Sequence, residues 1–310
     1  MNTTLMEKLA VSTSVMLFSI SSFAFTGGNN NDPDPEVPEP CQVDCNFERG
    51  PDPSVSSLEA TNGPFQVNTV NIPSSVNGFG GGTIHYPSGT TGTMGAIAVA
   101  PGFVSPENSI IWWGPRIASH GFVVITIATN SIFNDEDSRA DQLNSALNYV
   151  MNQSNSSNSA ISGMVDGSRL GAMGWSMGGG ASLKLSTDRV LKAIIPQAPF
   201  YSGSNDFDTI TSPALIIACE NDSIAPVGSH ASPFYNTLPG TTDKAFMEIN
   251  GGSHYCANSG NANADIIGKY GVAWMKRYID DDLRYDQFLC GPNHLAEAGG
   301  VFSEYRSTCN

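Results

Sequence analysis

Basic residues are scarce in this chain. Fourteen Lys and Arg stand against 29 Asp and Glu, a formal net charge of −15 over 310 residues. The pI is about 4.5. A chain so acidic repels phosphate backbones and anionic headgroups, so neither nucleic acid nor a membrane is an expected partner. Long apolar runs are missing as well. Outside the N-terminus no segment approaches the roughly 20 residues of a spanning helix. There is no internal repeat, and no cysteine or histidine cluster with zinc spacing, so no metal or organic cofactor is expected. What remains is 40% hydrophobic and only 14% charged, enough for one large α/β domain with a proper core.

Part of the acidic surplus is local. Between 32 and 59 there are eight acidic residues and one Arg49. Ahead of them, Lys8, a mostly apolar stretch over 9–20 and Ser22-Phe23-Ala24 read as an export signal over 1–24, which implies a secreted protein. Residues 25–45 read as an extended Pro/Asp/Glu tether with no apolar face to bury. The folded domain is expected over 46–310. The six cysteines, Cys41, Cys45, Cys219, Cys256, Cys290 and Cys309, fit an exported chain with bridges, though six allow 15 connectivities.

The most informative stretch is Gly174-Trp175-Ser176-Met177-Gly178. An apolar run precedes it and a potential helix follows. This is the G-x-S-x-G pattern of a nucleophile elbow, where a sharp strand-to-helix turn pushes a serine hydroxyl out above a sheet. Glycine is needed two residues either side, because a side chain there would strike neighbouring backbone. The turn aims the Met177 N–H at the place where an oxyanion would develop. Thirty-two glycines make the bare pattern weak, and a Gly/Ser surface turn is the competing reading.

The surroundings strengthen the elbow. Strands are expected at 65–72, 83–86, 95–100, 122–129, 170–174, 191–196, 214–219 and 244–250. Helices are expected at 109–120, from a Ser138/Asp141 cap through Met151, after the elbow, at 231–237 and at 263–279. Strands alternating with helices argue for a mostly parallel central sheet flanked by helices. With the elbow, this is the α/β-hydrolase fold, with no lid domain.

That architecture orders its triad as nucleophile, acid, histidine. Asp222 leaves the end of the 214–219 strand. Glu220 lies closer to the strand and is expected to point into the fold. Of five histidines, His85 and His120 precede the nucleophile, His230 is too near Asp222, and His294 lies in the tail. His254 follows a strand through Gly251-Gly252-Ser253, where an imidazole would overhang the sheet edge. His254 would act as base on Ser176 and Asp222 would orient it. The base works only when neutral, so the rate is expected to rise through about pH 6–7. The second oxyanion amide is expected on Phe103, in the loop after the 95–100 strand.

Beyond the elbow, the runs W-W-G-P-R-I-A-S-H-G-F-V-V-I-T-I, P-Q-A-P-F, C-E-N-D-S-I-A-P-V, E-I-N-G-G-S-H-Y-C-A-N-S-G-N and G-V-A-W-M-K-R-Y resemble the bacterial cutinase-like polyester hydrolases that act on poly(ethylene terephthalate). The resemblance covers most of the chain from about 46 to 310. It implies the triad Ser176, Asp222 and His254, and oxyanion amides on Phe103 and Met177. It also implies bridges Cys219–Cys256 and Cys290–Cys309, while Cys41–Cys45 has no counterpart. Substrate contacts are implied for Trp175, Phe200, Ile224 and Tyr255. Many relatives carry Tyr where this chain has Phe103 and Trp where it has Phe200. His230 and Phe234 match a branch in which they restrict the side chain at 200. Read from the residues alone, Phe103, Trp175, Phe200 and Tyr255 fit core packing equally well.

The expectation is therefore a monomeric, secreted serine esterase acting on short-chain esters and polyester surfaces, with poly(ethylene terephthalate) a candidate. Other readings stay open. One is a carbohydrate or feruloyl esterase on the same fold. Another is a non-catalytic surface-binding module. A serine peptidase is disfavoured by the lack of a propeller or cap domain.

Overall fold

In the computed structural model the described residues are 47–291, 294 and 300–308. The chain divides into Met1–Pro40 and Cys41–Asn310, and all described residues belong to the second unit. The expected export signal, the tether, and Cys41, Cys45 and Cys309 lie outside the described residues.

Nine described strands form one sheet in the order β1-β2-β4-β3-β5-β6-β7-β8-β9. They are β1 Val67–Ile72, β2 Gly82–Pro87, β3 Met94–Ala100, β4 Val123–Ile127, β5 Val165–Trp175, β6 Ala193–Gln197, β7 Ala214–Cys219, β8 Lys244–Ile249 and β9 Phe302–Ser307. Strands β4, β3, β5, β6, β7 and β8 run parallel to their neighbours. The edges, β1–β2–β4 and β8–β9, are antiparallel. The helices are α1 Val55–Glu59, α2 Trp113–Ala118, α3 Glu136–Asn155, α4 Met177–Asp188, α5 Ala231–Thr237 and α6 Ala264–Ile279. No helix or strand interrupts the connection from β6 to β7, so no lid is inserted there.

Every residue of β3 and β4 is buried, as expected of strands covered on both faces. Alternate side chains serve opposite cores. Ile97, Val99 and Val124 join Trp113, Ile117 and Trp274 on the α2/α6 face. Ala96, Ala98 and Ile125 join Leu143, Leu147 and Leu183 on the α3/α4 face.

Three local expectations need correction. The helix expected over 109–120 is one turn of 3-10 helix, Glu107–Ser109, followed by α2 from Trp113. The cap of α3 is Asp135, whose Oδ1 accepts the Ser138 N–H at 2.8 Å, so Ser138 is capped and does not cap. Neither α1 nor β9 was anticipated. Strand β9 adds six residues, F-S-E-Y-R-S, antiparallel to β8, too polar to announce itself.

Two of the five histidines are locked in the fold away from the elbow. His85 and His120 are each 4% exposed. Burial pushes the imidazole of His85 down to about 4. Burial, aided by the charges of Arg116 and Lys276, pushes that of His120 down to about 3. Unfolded, both take a proton near pH 6.5. Below that pH the unfolded chain binds protons that the fold refuses, so stability falls as pH drops from about 6.5 toward 3. Above about 6.5 these groups have no effect. The urea midpoint is accordingly expected to be lower at about pH 4.5 than at about pH 7.5, and His120→Asn should narrow the difference. An unchanged difference would assign the acid sensitivity to carboxylates instead.

Candidate active site

Ser176 stands between β5 and α4 with φ 57° and ψ −122°. A non-glycine residue with positive φ is strained, and the surroundings must hold it there. They do so through the backbone. The Ser176 N–H donates to Gln197 O at 2.9 Å, and Ser176 O accepts the N–H groups of Gly180 and Phe200 at 3.0 and 2.9 Å. The flanking glycines are required by space. A Cβ on Gly174 would sit 2.2 Å from Gly178 O, and one on Gly178 would sit 2.3 Å from Ala100 O. The sequence pattern and the steric need therefore coincide.

The loops after β7 and β8 bring two further groups to the serine. Ser176 Oγ lies 2.9 Å from His254 Nε2, and His254 Nδ1 lies 2.7 Å from Asp222 Oδ2. The other carboxylate oxygen accepts the backbone N–H groups of Ile224 and Ala225 at 2.9 and 2.7 Å, which fixes its orientation. The three side chains are nearly buried, at 5%, 3% and 6% exposure for Ser176, His254 and Asp222. With Nδ1–H donating to Asp222, Nε2 is free to accept the Ser176 hydroxyl proton. The arrangement can deprotonate a serine as it attacks a carbonyl.

Several ties hold the acid and base loops at this spacing. Cys219 and Cys256 form a disulfide with Cα atoms 5.9 Å apart. Asn221 N–H donates to Gly252 O at 2.8 Å. Glu220 is exposed, contrary to expectation; its Oε2 accepts the Gly251 N–H at 2.7 Å because the strand has already ended there. Cys290 is also disulfide-bonded, and Cys309, its expected partner, lies outside the described residues.

Trp175, an expected substrate contact, packs beside the base. It is 4% exposed, and its indole N–H donates to His254 O at 2.7 Å. Trp175 supports the base loop, packed against the rings of His254 and Tyr255. Sequence cannot separate these roles, since a residue next to the nucleophile can face either way.

Phe103, Ile224 and Tyr255 are exposed at 47%, 52% and 55%. Phe200 is half-buried, with the His230 ring 4.7 Å away and tilted by 34°. The Phe234 ring meets His230 edge-on at 5.8 Å, so the ring backing Phe200 is itself packed. Burial lowers the His230 pKa from its ordinary value. Gly102 presses the Phe103 loop against the elbow, since a Cβ there would lie 2.9 Å from Ser176 Cβ. His294 is remote from these groups and meets Tyr270.

Sequence reasoning missed Phe133. It is 67% exposed, and its ring meets that of Phe103 edge-on at 5.9 Å. The signal was Ile132-Phe133, an apolar pair in an otherwise polar loop. Phe103, Val104, Ile132, Phe133, Ile224 and Tyr255 are all exposed, and all lie on loops leaving the C-terminal ends of β3, β4, β7 and β8. The other large exposed apolar side chains among the described residues, Val190 and Leu283, lie outside those loops. Among the described residues no His/Cys/Asp/Glu cluster could hold a metal ion, and no helix is long and apolar enough to cross a membrane.

Comparison with known proteins identifies the family. The sequence pattern of the family described as PET hydrolase-like matches residues 41–310. A protein named Cutinase 1 from Thermobifida cellulosilytica is 49% identical over 265 residues, covering 85% of this chain and 98% of the relative. A Thermobifida fusca cutinase is likewise 49% identical, covering 85% of each. A bis(hydroxyethyl) terephthalate hydrolase from Streptomyces coelicolor is 45% identical over 270 residues, covering 86% of this chain and 83% of the relative.

Proposed function

The chain belongs to the PET hydrolase-like family, and from that premise we propose that it is a secreted serine hydrolase of carboxylic esters, with polyesters as its main substrates. One observation carries this reading: the unbroken contact from Asp222 through His254 to Ser176, at 2.7 and 2.9 Å.

The mechanism follows from those atoms. An ester carbonyl rests beside Ser176 with its oxygen toward the amides of Phe103 and Met177. His254 Nε2 takes the hydroxyl proton as Ser176 Oγ attacks, and Asp222 stabilises the resulting imidazolium. The two N–H groups stabilise the oxyanion. The intermediate collapses, His254 returns the proton to the departing alkoxide, and an acyl-enzyme remains. Water, deprotonated by the same imidazole, then attacks and releases the acid. Phe103, Phe200, Ile224 and Tyr255 supply apolar contacts for the acyl portion, with Phe200 backed by His230. Phe200 has a π-face and less area than a tryptophan, so aromatic diacids are held less firmly than a Trp-bearing site would hold them.

No inserted lid covers these residues, which favours a chain or film surface over a small enclosed ligand. Residues 1–24 would direct export and 25–45 would act as a tether. The catalytic unit would be monomeric. The test is product analysis. Polyester film incubated with the enzyme should release monomeric acids and half-esters, with none from the Ser176→Ala protein. Release from acetylated xylan with no release from film would favour the carbohydrate esterase reading.

A further inference from the structure

A buried guanidinium lies beneath the oxyanion loop, and no role in the reaction described so far uses it. Arg139, in the first turn of α3, is fully buried. It donates to three backbone carbonyls on two different loops. Nη1 reaches Pro101 O at 3.2 Å, Nη2 reaches Ile132 O at 2.9 Å, and Nε reaches Asn134 O at 3.1 Å. The first belongs to the turn that carries Phe103. The other two belong to the loop after β4 that carries Phe133.

Ile132 O is a junction, because it also accepts the Val104 N–H at 2.8 Å. Val104, directly after Phe103, has φ 52°. A β-branched residue strongly disfavours that left-handed region, so the 101–104 turn is bent against its own preference and must be held. The hold comes from Arg139 at Pro101 O and from Ile132 O at Val104 N–H, bracketing Phe103 on both sides. The Arg139 cation is buried at a cost, which an apolar side chain of similar size would avoid. A planar fork with donors in fixed directions is what a hydrocarbon cannot supply.

We propose that Arg139 is a positioning residue for catalysis: it locks the 101–104 turn to the 132–134 loop so that the Phe103 N–H points at the developing oxyanion. This rests on the function proposed above. The stabilisation it provides appears mainly in the transition state, since an amide misaimed by a fraction of an ångström still tolerates a ground-state ester.

The test uses the full-length enzyme and p-nitrophenyl butyrate. Arg139→Met should lower kcat by about 30-fold with KM changed by less than about 3-fold, somewhat less than the effect of deleting an oxyanion donor. Arg139→Lys, which keeps the charge and loses the fork, should lower kcat by about 10-fold. Affinity for a trifluoromethyl ketone, which mimics the tetrahedral intermediate, should fall in parallel with kcat. A purely structural role would lower the melting temperature and leave kcat and inhibitor affinity of the folded fraction unchanged, and that result overturns the proposal. If Arg139→Met does not fold, Arg139→Lys decides the matter by the same two readouts. Ser176→Ala is assayed alongside. If it keeps the wild-type rate, the proposed function itself fails and takes this role with it. If it is inactive while folded Arg139 variants keep full kcat and inhibitor affinity, only the positioning role fails.

Discussion

Ser176→Ala is expected to cut kcat on a soluble ester by about 10⁵–10⁶-fold, the loss seen when a serine nucleophile is removed from such a unit. Asp222→Asn should cost about 10⁴-fold, because an amide at that position favours the imidazole tautomer with its proton on the wrong nitrogen. Losses within the triad should not add. Once the hydroxyl is gone, the base has nothing to deprotonate, so Ser176→Ala/His254→Ala should be no slower than Ser176→Ala alone. The folds should survive, since Asp222 Oδ1 is held by two backbone amides that an asparagine oxygen can also satisfy. Steady-state kinetics with circular dichroism on the same samples checks this. A multiplicative loss in the double variant would mean that the serine and the imidazole act independently.

The second large effect concerns the Cys219–Cys256 bridge. It closes a loop with a sequence separation of 37 and joins the ends of β7 and the base loop. The chain-entropy relation gives about 4 kcal/mol for a loop of this size, an upper figure before any strain. For a domain of this size, about 2–4 °C accompanies each kcal/mol. The paired Cys219→Ser/Cys256→Ser variant is therefore expected to melt about 10 °C lower. Its kcat should fall less steeply, because Asn221 N–H to Gly252 O and Glu220 to Gly251 N–H still tie the same two loops. Calorimetry in the absence of reductant measures the shift. A change under about 2 °C would mean that the backbone ties alone carry the load.

Much of the site was legible because its constraints are local or topological. Gly174 and Gly178 are fixed by contacts under 2.5 Å from their absent side chains, a demand any sequence with this turn must meet. Asp222 and His254 were found by chain order and by the ends of apolar strands. Where a side chain depends on distant partners, sequence was silent. Trp175 faces inward because His254 O needs a donor, and that pairing spans 79 positions. Glu220 turned outward although the strand end was read correctly at Cys219, because its partner is the Gly251 N–H, 31 positions away. Strand β9 alternates weakly and pairs with β8 at the sheet edge, so its only strong signal is the partner itself. Nothing in the sequence singles out Arg139, and only the folded loops show what it reaches.

The six exposed apolar side chains on the loops after β3, β4, β7 and β8 have a consequence for how the molecule meets a solid. With most of its large exposed apolar side chains at the end of the sheet that carries Ser176, the catalytic unit is expected to meet a plastic or waxy face with that end first. On that expectation, more bare film should raise the rate further than tighter adsorption would.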